Sequence, residues 1–198
     1  MTPSGTGASA DRQKVTVPEI ARRKQTGERI SMITAYDATF ARLVDEAGID
    51  MILVGDSLGM VVQGVDNTIP VGLEEMAYHV QLVARTRPKA LVVGDLPFGS
   101  YQVSPQQAVE SSVALMKRGA EAVKLEGGTV MADTIEAISR IDIPVVGHIG
   151  LNHLHPAPVP PAGSRHLFSR LRLAQVVHHH IPALAGIPLG DGGADAGR

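Results

Sequence analysis

From residue 29 to residue 150, short apolar runs alternate with amphipathic stretches. The runs are ISMITAYD (30–37), MILVGD (51–56), ALVVGDLPF (90–98), AVKLEGG (122–128) and PVVGHIG (144–150), each closing on glycine or a polar residue. Brief, nearly continuous apolar runs suit strands buried on both faces. Between them, Phe40, Leu43, Val44 and Ala47 fall at i, i+3, i+4 and i+7, and Leu73, Met76, Ala77, Val80 and Val83 repeat the stripe. Both stretches predict helices with a core-facing side. Ser104-Pro105-Gln106-Gln107 predicts a capped helix start with a capping-box glutamine, and Gly119 its end. One further short helix is expected from Thr16 to Thr26, ahead of the first strand.

Five βα repeats predict an α/β fold with a parallel sheet and right-handed crossovers. An open doubly wound sheet and part of a (β/α)8 barrel both satisfy the pattern. No GxGxxG or GxxxxGK[ST] follows the first strand, which removes the usual nucleotide-binding reason for an open sheet.

The pattern fails after Leu151. The last 48 residues hold 6 of the 8 histidines and 6 of the 13 prolines, no lysine, and 2 of the 20 acidic residues. The chain is therefore divided into a disordered tail (1–13), a partial (β/α) barrel (14–151) and an atypical Pro/His-rich tail (152–198) foreign to the barrel. An out-of-frame translation and a natural Pro-rich tail both explain that composition. The tail is expected to pair with neither sheet edge, leaving an apolar barrel interior exposed.

Composition narrows the chemistry. Aromatics are 3% and tryptophan is absent, against stacking-based nucleic-acid modules, and a formal net charge of -2 implies no polyanionic partner. Zero cysteines exclude disulfides, cysteine-ligated zinc and thiol catalysis. Residues 1–13 lack the apolar stretch of a signal peptide, and no run approaches the roughly 20 apolar residues of a membrane span, so a cytoplasmic protein without a membrane partner is expected.

Parallel α/β folds place their sites at the carboxyl ends of strands. The polar residues there are Asp37, Asp56 with Ser57, Asp95, Lys124 with Glu126, and His148. Asp56, Asp95 and Glu126 converging at one mouth would repel unless a cation sat among them, and all-oxygen ligation suits Mg²⁺. Lys124 and Glu126, two apart on a strand, point to the same side, where the lysine needs an anion: a neighbouring carboxylate or, the preferred partner, the carboxylate of a substrate. Glycines in VGDSLG, VGDLPFG and LEGG allow close backbone approach to a small ligand. His153, His155 and the run His178, His179 and His180 read as exposed histidines rather than a built metal site.

ITAYDATFARLVDEAGIDMILVGDSLGMVVQGVDNTIPV, VVGDLPFGSYQVSP, KLEGG and PVVGHIGL, in this order and spacing, resemble ketopantoate hydroxymethyltransferase over roughly residues 14 to 151. The resemblance implies a (β/α)8 barrel of the phosphoenolpyruvate/pyruvate type, here its first five βα units. It implies Mg²⁺ on Asp56, Asp95 and Glu126, and oxo-acid binding by Asp56, Ser57, Asp95 and Lys124. It implies transfer of a one-carbon unit from 5,10-methylenetetrahydrofolate to 3-methyl-2-oxobutanoate, giving 2-dehydropantoate, in a homo-oligomer, commonly a decamer. His148 matches the family's GHIGL strand end. The glutamate that serves the family as general base has no counterpart in 152–198, and neither Asp191 nor Asp195 is assigned to that role. A Mg²⁺-dependent lyase or mutase of the phosphoenolpyruvate mutase and isocitrate lyase group, and a non-catalytic half-barrel, are the alternatives.

Overall fold

The computed structural model describes residues 12–149 and the backbone of 173–177. Six strands form one parallel sheet in the order β1 to β6: Met32–Thr34, Met51–Val54, Leu91–Asp95, Ala122–Glu126, Val145–Ile149 and Leu173–Val177. The helices are α1 (Val17–Thr26), α2 (Ala38–Glu46), α3 (Leu73–Ala84), α4 (Pro105–Lys117) and α5 (Ala132–Arg140). Strands laid down in sequence order, with a helix after each of the first four, make the wall of a barrel rather than a doubly wound sheet, whose order reverses.

Side chains alternate across this wall. Ile52 and Val54, Val92, Val123 and Leu125, and Val145 face outward into the core shared with α3, α4 and α5. Met51 and Leu53, Leu91 and Val93, Ala122, and Val146 face inward and pack with Val15 and Ile20. The interior expected to be exposed is therefore buried, because α1 and the segment leading into it close the amino ends of the strands. Val15 N donates to Lys89 O at 2.7 Å, and Lys14 Nζ reaches Ala90 O at 2.8 Å and Glu121 Oε2 at 2.6 Å.

Local signals explain most helix ends. Ser104 Oγ accepts from Gln107 N at 3.1 Å, but Gln107 Oε1 accepts from Val103 N at 3.2 Å, so the capping box closes one residue early. Gly119 holds φ 104° and lies against Ala84, whose Cβ would stand 2.5 Å from an added Cβ. The helix α5, between β4 and β5, completes the fourth βα unit without having been singled out in the sequence.

Two expectations change. Phe40 and Leu43 are 60% and 56% exposed, and the buried residue of α2 is Ala41, so the apolar stripe of that helix lies largely in solvent. The tail also contributes a strand: β6 pairs with β5 from Val145↔Leu173 to Ile149↔Val177. LAQVV is a proline-free run, and the β5 edge offers it a row of unpaired backbone groups. His153, His155, His178, His179, His180, Asp191 and Asp195 lie outside the described residues.

Candidate functional site

Strand register builds the site. Asp95 pairs with Lys124 across β3 and β4, and Glu126 pairs with His148 across β4 and β5. The strands β3 and β4 thus begin with an inward apolar residue, Leu91 and Ala122, and end with an inward carboxylate, Asp95 and Glu126. Lys124 Nζ donates to both oxygens of Asp95 at 2.8 Å and to Glu126 Oε1 at 3.3 Å. Glu126 Oε1 also lies 2.6 Å from His148 Nδ1. The cation between Asp95 and Glu126 is the Lys124 ammonium, so both of its anions here are protein carboxylates.

Asp95 and Lys124 are 3% and 7% exposed, so their charges are strongly coupled. Burial pushes the Asp95 carboxyl up to about 6, with Asp56 and Glu126 adding to the rise and Lys124 opposing it. Burial also opposes the charge on Lys124, but Asp95 and Glu126 more than offset it and hold the ammonium form. For Glu126 burial is again unfavourable, yet the bond to His148 and the charge of Lys124 bring the carboxyl down to about 2.

Asp56 and Ser57 follow β2 directly. Asp56 N donates to Asp95 Oδ2 at 3.5 Å, which ties the two strand ends together. Gly55 lets the side chains beside it pack closely: an added Cβ would stand 3.1 Å from Ser57 Oγ and 3.7 Å from Asp95 Oδ2. Asp37 lies elsewhere in role, capping α2 by accepting from Thr39 N at 2.7 Å and Phe40 N at 2.9 Å.

Among the described residues, no three His, Asp or Glu side chains are gathered into a ready-made metal cage. The donor set still fits Mg²⁺, which takes one or two carboxylates and fills its other positions with water and ligand oxygen. Asp56 and Asp95, linked through the Asp56 N–H and close enough for the charge of Asp56 to raise the Asp95 carboxyl, offer such a pair.

Two tyrosines escaped the sequence analysis. Tyr36 Oη lies 2.8 Å from Ser57 Oγ, and buried Tyr101 accepts from Glu126 N at 3.3 Å. Both lie in the segments that lead from a strand to the next helix, Tyr36 after β1 and Tyr101 after β3, and aromatics in such segments are the signal that could have found them.

The sequence model of the ketopantoate hydroxymethyltransferase family matches residues 14–159, which include every strand end of this site. The chain belongs to that family. The 3-methyl-2-oxobutanoate hydroxymethyltransferase of Ignicoccus hospitalis is 58% identical over 139 residues, covering 70% of this chain and 53% of the relative. That of Hyperthermus butylicus is 58% identical over 142 residues, covering 72% and 49%. The chain thus spans about half the length of these curated relatives. Among solved structures, a phosphonopyruvate hydrolase complexed with oxalate and Mg²⁺ superposes with a TM-score of 0.56 at 14% identity, covering 67% of this chain and 52% of that one. A 2,3-dimethylmalate lyase of the phosphoenolpyruvate mutase/isocitrate lyase superfamily gives 0.51 at 20%, covering 68% and 53%. These share the partial-barrel fold, while the family assignment favours the hydroxymethyltransferase over the lyase or mutase alternative.

Proposed function

We propose that this chain carries the oxo-acid half of the ketopantoate hydroxymethyltransferase site. It binds 3-methyl-2-oxobutanoate with Mg²⁺ for hydroxymethyl transfer from 5,10-methylenetetrahydrofolate to give 2-dehydropantoate, the first step of pantothenate biosynthesis. The observation that carries this proposal is the register that sets Asp95 beside Lys124 and Glu126 beside His148 at the carboxyl ends of the strands.

Asp56 and Asp95 would hold Mg²⁺, with Glu126 next to them sharing its charge with Lys124 and His148. Bound there, the ion supplies Lewis acidity that polarises the oxo group and acidifies the proton on C3. Lys124 supplies a fixed positive charge for the substrate carboxylate, held in place by Asp95. Ser57 adds a hydroxyl donor at the same rim. Asp95 and Glu126 are both engaged by cationic or histidine partners, so neither is assigned as the base that takes the C3 proton.

Exposure of Phe40 and Leu43 on α2 supports a homo-oligomer, since large apolar side chains in water favour burial against another subunit. Among the described residues no helix is long and apolar enough to cross a membrane, which is in keeping with a cytoplasmic enzyme acting on small molecules. The family match runs on to residue 159, eight residues into the stretch expected to be foreign, and residues 160–198 are proposed to lie outside the family's barrel sequence, apart from the edge position taken by β6.

The test is ligand-detected NMR with the full chain. Signals of 3-methyl-2-oxobutanoate should show saturation transfer in Mg²⁺ and lose it in EDTA; equal transfer in both would refute the metal-assisted site. In a coupled assay for 2-dehydropantoate, turnover at least about tenfold below that of a full-length relative is expected, because a positioned base contributes roughly 10²- to 10⁴-fold.

A further inference from the structure

We propose that Tyr36 is a positioning residue for oxo-acid binding: its phenol donates to Ser57 Oγ and so turns the serine's own proton toward the bound acid. This rests on the reading of the strand-end mouth as a 2-oxo-acid site.

Tyr36 stands just past β1, and its hydroxyl crosses to the end of β2, 2.8 Å from Ser57 Oγ. Its backbone is fixed from a third element. His79 on α3 places Nδ1 2.7 Å from the Tyr36 carbonyl oxygen, and because a carbonyl only accepts, Nδ1 carries the proton. The Tyr36 ring packs against the outer core, so the phenol approaches the serine from a supported position.

Two hydroxyls sharing one hydrogen bond need one donor. A phenol, with an ordinary pKa of about 10, is far more acidic than an aliphatic alcohol and is the better donor. Ser57 Oγ then accepts from Tyr36 and keeps its own proton for another acceptor. Among the described residues Tyr36 is the hydrogen-bond partner of that oxygen. Ser57 Oγ and Asp95 Oδ2 both lie close to Gly55 at the strand-end mouth, where a bound oxo acid would bring its carboxylate. Without Tyr36 the serine hydroxyl rotates freely, and part of its donation to the ligand is lost.

The experiment is a double-mutant cycle read by calorimetric titration of the full chain with 3-methyl-2-oxobutanoate in Mg²⁺. Ser57→Ala is expected to weaken binding about tenfold and Tyr36→Phe about threefold, the scale of single hydrogen bonds. In the Ser57→Ala background, Tyr36→Phe should change nothing, an outcome a merely structural tyrosine would not produce. Undiminished loss in that background, or wild-type affinity in Tyr36→Phe alone, would overturn the proposal. Absence of binding by the wild-type chain would instead overturn the oxo-acid site, and this role with it. Incorporation of 3-fluorotyrosine at position 36 keeps the shape and strengthens the donor, so binding at pH 6.5 should be at least as tight as wild type. Weaker binding there would also overturn the proposal.

Discussion

The two ends of the same strands have opposite chemistry. At their amino ends the inward residues are Met51, Leu91 and Ala122, sealed by Val15 and Ile20. At their carboxyl ends stand Asp56, Asp95, Lys124, Glu126 and His148, joined by a chain of hydrogen bonds. Alternation along a strand fixes which residues point inward, and position along the strand decides what they are for. One end holds the fold by excluding water, and the other keeps buried charges that cost stability unless they are paired.

The sharpest way to break this contrast is to remove the Lys124 ammonium from the charged end. Lys124→Ala leaves Asp95 and Glu126 facing each other, and a loss of about 3 to 5 kcal/mol in urea unfolding at neutral pH is expected. Adding Asp95→Asn to that variant should restore part of the loss. At the apolar end, Ile20→Ala should cost about 2 to 3 kcal/mol by opening the seal, with oxo-acid affinity per folded molecule unchanged.

The two ends should also differ in their response to pH. The Asp95 carboxyl rises from 3.8 to about 6 in the folded chain, so the folded state holds the extra proton between those values. Its contribution is greatest below 3.8 and is lost as the pH rises through 6. Glu126 moves the other way, from 4.5 to about 2, and its contribution is lost as the pH falls through that lower window. Asp95→Asn should flatten the upper slope and Glu126→Gln the lower one in unfolding curves taken across pH, whereas Ile20→Ala should shift the curve without changing its shape. Ser104→Ala, outside the hydrogen-bonded chain of charged groups, should cost only about 1 kcal/mol through its lost helix cap, with no pH signature.

Much of the charged end was legible because each apolar run closes on a polar residue, and the rule that parallel strands present their carboxyl ends to ligand sites does the rest. The partners of Lys124 were not, since a choice between substrate and protein carboxylates needs the register that sets Asp95 alongside it. The exposure of Phe40 and Leu43 was hidden for another reason: a helical stripe has the same period whether it faces a core or a partner. The strand β6 was masked by its surroundings, five strand-forming residues in a stretch dominated by proline, histidine and glycine. Tyr36 was passed over because its role depends on a hydroxyl from β2 reached only after the sheet is assembled.

The most direct test of a charged end built for an oxo acid is calorimetric titration of the full chain and its Asp95→Ala variant with 3-methyl-2-oxobutanoate in Mg²⁺. The wild-type chain should bind with Mg²⁺ dependence, and Asp95→Ala should abolish binding while retaining the circular dichroism of the folded protein. Unchanged affinity in the folded Asp95→Ala variant would contradict the assignment of the strand-end mouth as the oxo-acid site.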